Sequence, residues 1–587
     1  MAKTQEFGTV SRRVLLGMGV GGAGLLASGC SLFDSGSGGT GGGSGGGEDG
    51  GTSITIASTS TIDALDPHYV NSSMYILPAG LMEGLLMQSE DGTDVVPALA
   101  ESWDESEDGL TYTFHLRAAN WSNGEPVTSE DALFSFQRLL SPSGAGSGYT
   151  TGASSFLPSI GIKGASAFQS GATDDWADVG ISAPDESTVE VTLASPNPDF
   201  LINMTHYSMS VLNKAAVEAD STGWTSVDAW VGNGPYILSN WDPTTLVELE
   251  KNPEYWDADN VSIDRIALQL GGDMPTNILA FNAGELDITG VGAEALAGDP
   301  SLVEKMIEVP GYACHYLQTM WGGHEAIRDQ RVRRALSMAI DRDALIENLP
   351  GLEAAGSLMP SSVPGWSEEI VVPFDPDGAK KLLDEAGYGD GVPGLRIQMG
   401  FEGPMFTILA EQLKETLGME VTLDILEAGV HADTRWLPHE DTSVMSFYYG
   451  SFAGISTMPN WILNIFGIDH VRQFSLPLEA WDEIKATRAD ESLDGAQIAA
   501  TVEEILSTKS DPQAQKYAET ALAAQAELDP EKRTSTFLDA AQIREELAYT
   551  IPIAWGSQTW LTSDRVTGLQ GRSSPEGYYY KHLTASE

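Results

Sequence analysis

From Thr111 to Arg117 the chain alternates Tyr112, Phe114 and Leu116 with polar partners, a period of two that predicts a half-buried strand. Thr128 stands three residues before Asp131 and precedes Ala132, Leu133, Phe136, Leu139 and Leu140 at helical spacing. That is a loose capping box opening an amphipathic helix. Val332, Ala335, Leu336, Ala339 and Ile340 predict a second helix behind Arg331, Arg333 and Arg334, ending near Asp341. Asp375-Pro376 opens a third through Ala379, Leu382 and Leu383, closed by Gly387. Segments 495–511 and 513–548 are alanine-rich, charged and predicted helical, with their periodic apolar positions facing a core. There is no internal repeat, and turn clusters separate strands and helices in mixed order, as in an α/β chain.

The N-terminus breaks this pattern. Ser11-Arg12-Arg13-Val14-Leu15-Leu16 places an arginine pair before a glycine-diluted apolar run that ends in Leu25-Leu26-Ala27-Ser28-Gly29-Cys30. This is a twin-arginine export pattern followed by a lipobox-like cysteine, so residues 1–30 are expected to be a lipoprotein signal with Cys30 lipidated. Ala27 departs from the larger aliphatic residue that lipoboxes prefer at that place. The run from Val14 to Ala27 is shorter than the roughly 20 residues a membrane helix needs. Residues 31–52 are dominated by Gly and Ser and behave as a flexible tether, with a reach of roughly 25 Å.

Composition narrows the function. Only Cys30 and Cys314 are present, so lipidation of the first leaves the second without a disulfide partner. Removing residues 1–29 takes away Lys3, Arg12, Arg13 and Glu6, and the net charge moves from -53 to -55. Such a surface repels nucleic acid and is a solvating one. No nucleophile elbow, phosphate loop or metal-binding Cys/His spacing occurs, and the glycine-rich run at 36–51 has no Lys-Ser or helix after it. No enzyme activity, cofactor or metal is expected. His431 and His439, eight apart around Asp433, read as exposed loop histidines.

Several blocks together resemble the family 5 extracellular solute-binding proteins, which include oligopeptide, dipeptide, nickel and some oligosaccharide receptors of bacterial importers. They are Leu65-Asp66-Pro67-His68, Glu83-Gly84-Leu85-Leu86, Pro97-Ala98-Leu99-Ala100-Glu101-Ser102-Trp103, and then Asp108 to Arg117 with Trp121 to Thr128. Downstream come Asn233-Gly234-Pro235-Tyr236, Asn252-Pro253-Glu254-Tyr255-Trp256, Gly284-Glu285-Leu286-Asp287-Ile288 and Val332 to Arg342. The likeness spans roughly 54–390 and thins until Ile551-Pro552-Ile553. Most of these residues sit in turn or packing contexts and identify the fold rather than the ligand.

The resemblance implies an α/β, two-lobed periplasmic-binding-protein-like fold of type II, in its large form with an extra small domain, closing by a hinge around a central cleft. Lobe I would take 53–80, 205–305 and 545–587, the extra domain 81–204 and lobe II 310–540. It further implies a monomeric receptor on the outer face of the cell membrane, periplasmic where an outer membrane exists. Such a receptor delivers peptides to a permease and ATPase complex. An oligosaccharide or other neutral solute is the alternative cargo, and a surface sensor or chaperone-like binder the alternative role. The strand at 444–450 corresponds to one that lines the family's cleft, so Phe447, Tyr448, Tyr449, Gly450, Asn460 and Trp461 are candidate ligand-binding residues, with Tyr69 and Trp321. Alternation allows only one of Tyr448 and Tyr449 to face the ligand. Oligopeptide receptors usually carry an aspartate at the end of this strand for the peptide's amino terminus, where this chain has Gly450 or Ser451. Either Glu427 or Asp433 substitutes, or the ligand has no free amine.

Overall fold

The computed structural model describes residues 51–587 apart from 69–79, 142–159, 432–440, 454–456, 570–577 and a few single or paired positions. Tyr69, Trp321, Asp433, His439 and Cys30 lie outside the described residues.

A mixed sheet of eleven strands runs through the described residues in the order Val421–Ile425, Gly394–Met399, Val444–Ala453, Met306–Thr319, Thr550–Thr562, Ile288–Gly290, Ser53–Ala57, Arg265–Gln269, Leu246–Lys251, Tyr236–Asp242. Leu352–Ala354 joins the side of Thr550–Thr562. At one end Gly394–Met399 lies parallel to both its neighbours. At the other, Ser53–Ala57 does the same. Parallel neighbours need crossover connections that cover the sheet, and helices such as Pro404–Leu417 and Met274–Asn282 supply them.

The two ends are joined by the antiparallel pair Met306–Thr319 and Thr550–Thr562, the longest strand ladder among the described residues. Met306 to Val309 pair with Leu561 to Gln558, and Ala313 to Gln318 with Gly556 to Thr550, so the register breaks between Val309 and Ala313. Two apolar cores lie on either side of that break. One gathers Ile54, Leu238, Leu249, Ile266 and Ile288, the other Leu317, Val332, Leu336, Ile397, Phe406 and Phe447.

A separate four-stranded antiparallel sheet, Ala100–Glu105, Thr111–Leu116, Thr188–Thr192 and Ile181–Asp185, carries the Ser129–Leu140 helix on its own core of Tyr112, Phe114, Phe136, Leu139 and Val189. The capping box at its start is formed as the sequence predicts, with the Asp131 carboxylate accepting from the Thr128 amide at 3.0 Å. Further on, Asp375 caps the Pro376–Glu385 helix. The segment predicted as helical over 513–548 forms two helices, Pro512–Ala526 and Pro530–Leu547. The break follows from Asp529-Pro530, whose carboxylate caps the second helix at Lys532 while the proline takes the first helical position.

The motifs that recur along the first half of the chain meet here as structural locks. Asn233 donates to the Glu83 carbonyl and accepts from its amide, while the Glu83 carboxylate accepts from the Tyr255 hydroxyl and from the Trp256 indole at 2.9 Å. A Cβ at Gly234 would stand 2.5 Å from the Leu81 carbonyl carbon, so only glycine admits this approach. Arg333 and Arg342, both buried, donate to the carbonyls of Leu547 and Pro552 at 2.9 Å. They tie the Val332 to Arg342 motif to the end of the last long helix and to the strand that follows it.

A buried polar face on the second lobe

Strand alternation divides the sheet end around Val444–Ala453 into two unlike faces. Phe447 and Tyr449 point with Leu317, Ile397 and Met445 into an apolar core against Phe406 and Leu409. Tyr449 meets Phe406 edge-on at 4.6 Å, and its hydroxyl lies 2.6 Å from Nδ1 of His315. Tyr448 belongs to the other face. It stands directly opposite Gln318 on one neighbouring strand and Gln398 on the other, and Gln398 in turn pairs with Asp424 and Gln318 with Thr550. Five strands thus set Asp424, Gln398, Tyr448, Gln318 and Thr550 in one transverse row, with Ser446 and Arg396 one step along.

This polar face is not exposed. Gln318 and Ser446 are 0% accessible and Gln398 and Tyr448 8%. Among the described residues, Oε1 and Nε2 of Gln318, Oγ of Ser446 and Oε1 of Gln398 have no hydrogen-bond partner. A buried unpaired polar group costs ~1–3 kcal/mol, and native proteins hold few of them. Four such atoms on one face make it a place where an added polar group would be stabilised. Nearby, Arg396 pairs with Asp441 at 3.2 Å, while the Asp424 carboxylate accepts at 3.4 Å from the neutral Gln398 amide, which leaves its charge unmatched. His431, expected to be exposed, instead stacks on Tyr448 with ring centroids 4.1 Å apart and planes 5° from parallel, because the short helical turn at its position brings it over the strand.

The remaining sequence candidates fall in two places. Gly450 is on the polar face beside Tyr316, and a Cβ there would lie 2.5 Å from the Tyr316 hydroxyl. Trp461 is 1% exposed and packs with Tyr316, Tyr517, Phe537 and Ile462 in a helical core, its carbonyl accepting from Arg544. Asn460 is buried at the start of the same π-helical segment, Asn460–Asn464. Gln318, Gln398 and Ser446 were not among the sequence candidates. Their signal is the cross-strand register, which a single strand's pattern does not carry.

Glu545 lies in that helical core, fully enclosed, paired with Arg544 at 3.2 Å and accepting from the Leu358 amide. Its carboxyl is raised by burial, and burial likewise pushes the Cys314 thiol up. Among the described residues no cluster of His, Cys, Asp and Glu is placed to hold a metal, and no helix is long and apolar enough to cross a membrane.

Two sheet ends joined by a pair of long strands, with a polar face enclosed on one side, define a two-lobed α/β solute-binding fold of type II. Residues 94–469 match the bacterial extracellular solute-binding proteins, family 5 (middle region), and the chain belongs to that family. It is 32% identical over 398 residues to the periplasmic oligopeptide-binding protein OppA of Escherichia coli, an alignment covering 64% of this chain and 71% of that one. It is 30% identical to a probable deoxycholate-binding periplasmic protein, YgiS, of the same organism, over 63% of this chain and 70% of that one. Among solved structures, the Escherichia coli murein tripeptide binding protein MppA aligns with a TM-score of 0.71 at 24% identity, covering 92% of this chain and 99% of that one, a likeness of fold.

Proposed function

We propose that the chain is the extracytoplasmic receptor of an ATP-binding-cassette importer, that its cargo is peptide, and that it encloses that cargo by bending at the register break between Val309 and Ala313. The observation that carries the proposal is the enclosed polar face around Tyr448, in a fold whose relatives include an oligopeptide-binding protein. A ligand that touches both lobes favours the closed form, and a permease and ATPase complex would take the closed form as its partner. The binding step needs no bond chemistry, only a pocket with a few placed polar groups. The Arg12-Arg13 pair and Cys30 support export and lipid anchoring of a monomer, with residues 31–52 as the tether.

One observation favours a second reading. Where oligopeptide receptors of the family usually carry an aspartate, Gly450 is held against the Tyr316 hydroxyl, which supports a solute without a free amine, and one relative is described as a probable deoxycholate-binding protein, its named ligand a steroid carboxylate. Mass spectrometry of what co-purifies with the native protein decides between them. Short peptides are the expected finding, whereas a sterol, a sugar or another neutral solute alone overturns the peptide reading. Cys30→Ser is expected to release the protein from the membrane fraction, and retention there overturns the anchor.

A further inference from the structure

The Gln318 carboxamide presents one free acceptor and two free donor hydrogens side by side, buried among the described residues without a partner at either end. Because both ends are unpaired, the assignment of oxygen and nitrogen does not affect the conclusion. Such a pair is complemented by another amide, which offers a C=O and an N–H in the same spacing, or by two neighbouring hydroxyls, each donor and acceptor at once; for a peptide cargo the complement is the amide. A carboxylate offers only acceptors and an ammonium only donors. Ser446 Oγ and Gln398 Oε1, also unpaired, add a hydroxyl and an acceptor on the same face. Tyr448, stacked on His431, supplies a flat wall between them. Arg396 is matched by Asp441, and the one carboxylate in the row, Asp424, takes a hydrogen bond from neutral Gln398 and stands at the far end, with the Gly394–Met399 and Val444–Ala453 strands between it and Gln318.

We infer that the row Gln398, Ser446, Tyr448 and Gln318 is a ligand subsite for an uncharged amide group. That group is a peptide bond of the ligand's backbone or an Asn or Gln side chain. The inference rests on the peptide reading above and adds the chemistry that one part of the ligand must have. It also fits Gly450: a site that recognises an amide has no need of an acid for a terminal amine.

The test is calorimetry on the full chain freed of bound ligand, with alanine tetrapeptides carrying Asn, Gln, Glu or Lys at each position in turn, and a second set N-methylated at one peptide bond at a time. If the group is a side chain, an Asn or Gln peptide binds about tenfold tighter than the alanine peptide at one position, as one amide pair would give, and Gln318→Met abolishes the preference. If it is backbone, methylation at one bond weakens wild-type binding about tenfold and leaves Gln318→Met unaffected. Gln318→Met binding every peptide as wild type does overturns the subsite and leaves the peptide reading standing. Failure of the wild-type protein to bind any peptide overturns the peptide reading and this subsite with it. The melting temperature of the ligand-free protein gives a separate readout, since replacing an unpaired buried amide by an apolar chain is expected to raise it. A fall shows that the amide has a structural partner and overturns the inference. Ser446→Ala, a smaller change carried alongside, is expected to weaken the same peptides several-fold, and identity with wild type throughout counts against the subsite.

Discussion

Asp199 and Arg533, 334 positions apart, close an ion pair with only 16% and 13% of their side chains exposed. Asp199 precedes the Phe200–Asn203 turn in the core of the four-stranded sheet, and Arg533 sits on the Pro530–Leu547 helix of the second lobe. On the hinge proposed above, the pair fastens the body that carries the four-stranded sheet to the one that carries this helix. Removing one partner of a largely buried pair costs roughly 1–4 kcal/mol once its partial exposure is discounted. Arg533→Ala is expected to weaken ligand binding about tenfold or more and to enlarge the ligand-free protein in small-angle scattering. Unchanged affinity and dimensions would show that the pair is indifferent to closure.

A second expectation concerns acid. His68 is 1% exposed, and Arg138, which can only donate, reaches its Nδ1 at 2.9 Å while also pairing with Asp66. Burial, opposed by Asp66 and reinforced by Arg138, pulls the imidazole from 6.5 to about 3. The folded value lies below the unfolded one, so protons favour the unfolded chain. The stability is complete above pH 6.5 and is lost as pH falls from there towards 3, at up to about 1.4 kcal/mol per pH unit. Between pH 7 and 5 the wild type should lose about 2 kcal/mol more than His68→Gln. Parallel denaturant titrations at the two pH values measure the difference, and equal losses would contradict it.

Gly450 offers a test of the missing acid. Restoring a carboxylate with Gly450→Asp drives its Cβ into the Tyr316 hydroxyl, so the variant should lose ~1–3 kcal/mol from overpacking. It should gain no affinity for peptides with free amino termini over acetylated ones. The double variant Gly450→Asp/Tyr316→Phe removes the hydroxyl and should regain part of the stability. A free-amine preference in the single variant would mean that the strand end is roomier than its geometry indicates.

Trp461 and Tyr448 should separate stability from binding. Trp461→Ala empties a site in the helical core and should cost about 3–5 kcal/mol, seen as a lower denaturant midpoint. Tyr448→Ala should change stability far less and weaken ligand binding by about tenfold, as expected of a wall of the polar face. The reverse pattern, with Trp461→Ala folding normally and failing to bind, would move the site to the π-helical segment.

Much of the fold is legible in local signals. Tyr112 and Phe114 alternate into the core as their spacing predicts, and Asp131 and Asp375 mark helix starts through side chains that lie a few residues from the groups they satisfy. The break before Pro530 was legible too, in Asp529-Pro530, but alanine-rich composition on both sides hides it. The candidate site is a different matter. That Tyr448 and Tyr449 face opposite ways follows from a period of two. That Tyr448 lies between Gln318 and Gln398 depends on residues 130 and 50 positions away, and nothing within the 444–453 segment records which strands will flank it. Trp461 illustrates the same limit, since an aromatic beside a cleft strand and an aromatic beneath it have the same sequence context.

The break between Val309 and Ala313 spans Pro310, Gly311 and Tyr312; the ladder with Thr550–Thr562 is in register from Met306 to Val309 and shifts once more between His315 and Tyr316. Proline brings no amide hydrogen to a ladder and glycine restrains the backbone least. On the hinge proposed above, each lobe is held by its own length of paired strand, and the compliance lies between the two irregularities, from Pro310 to Tyr316. On that proposal the stretch is a fulcrum. A small change of angle there is magnified with distance into the gap at the rim, so the throw of the whole receptor is governed by a few backbone torsions that never touch its cargo.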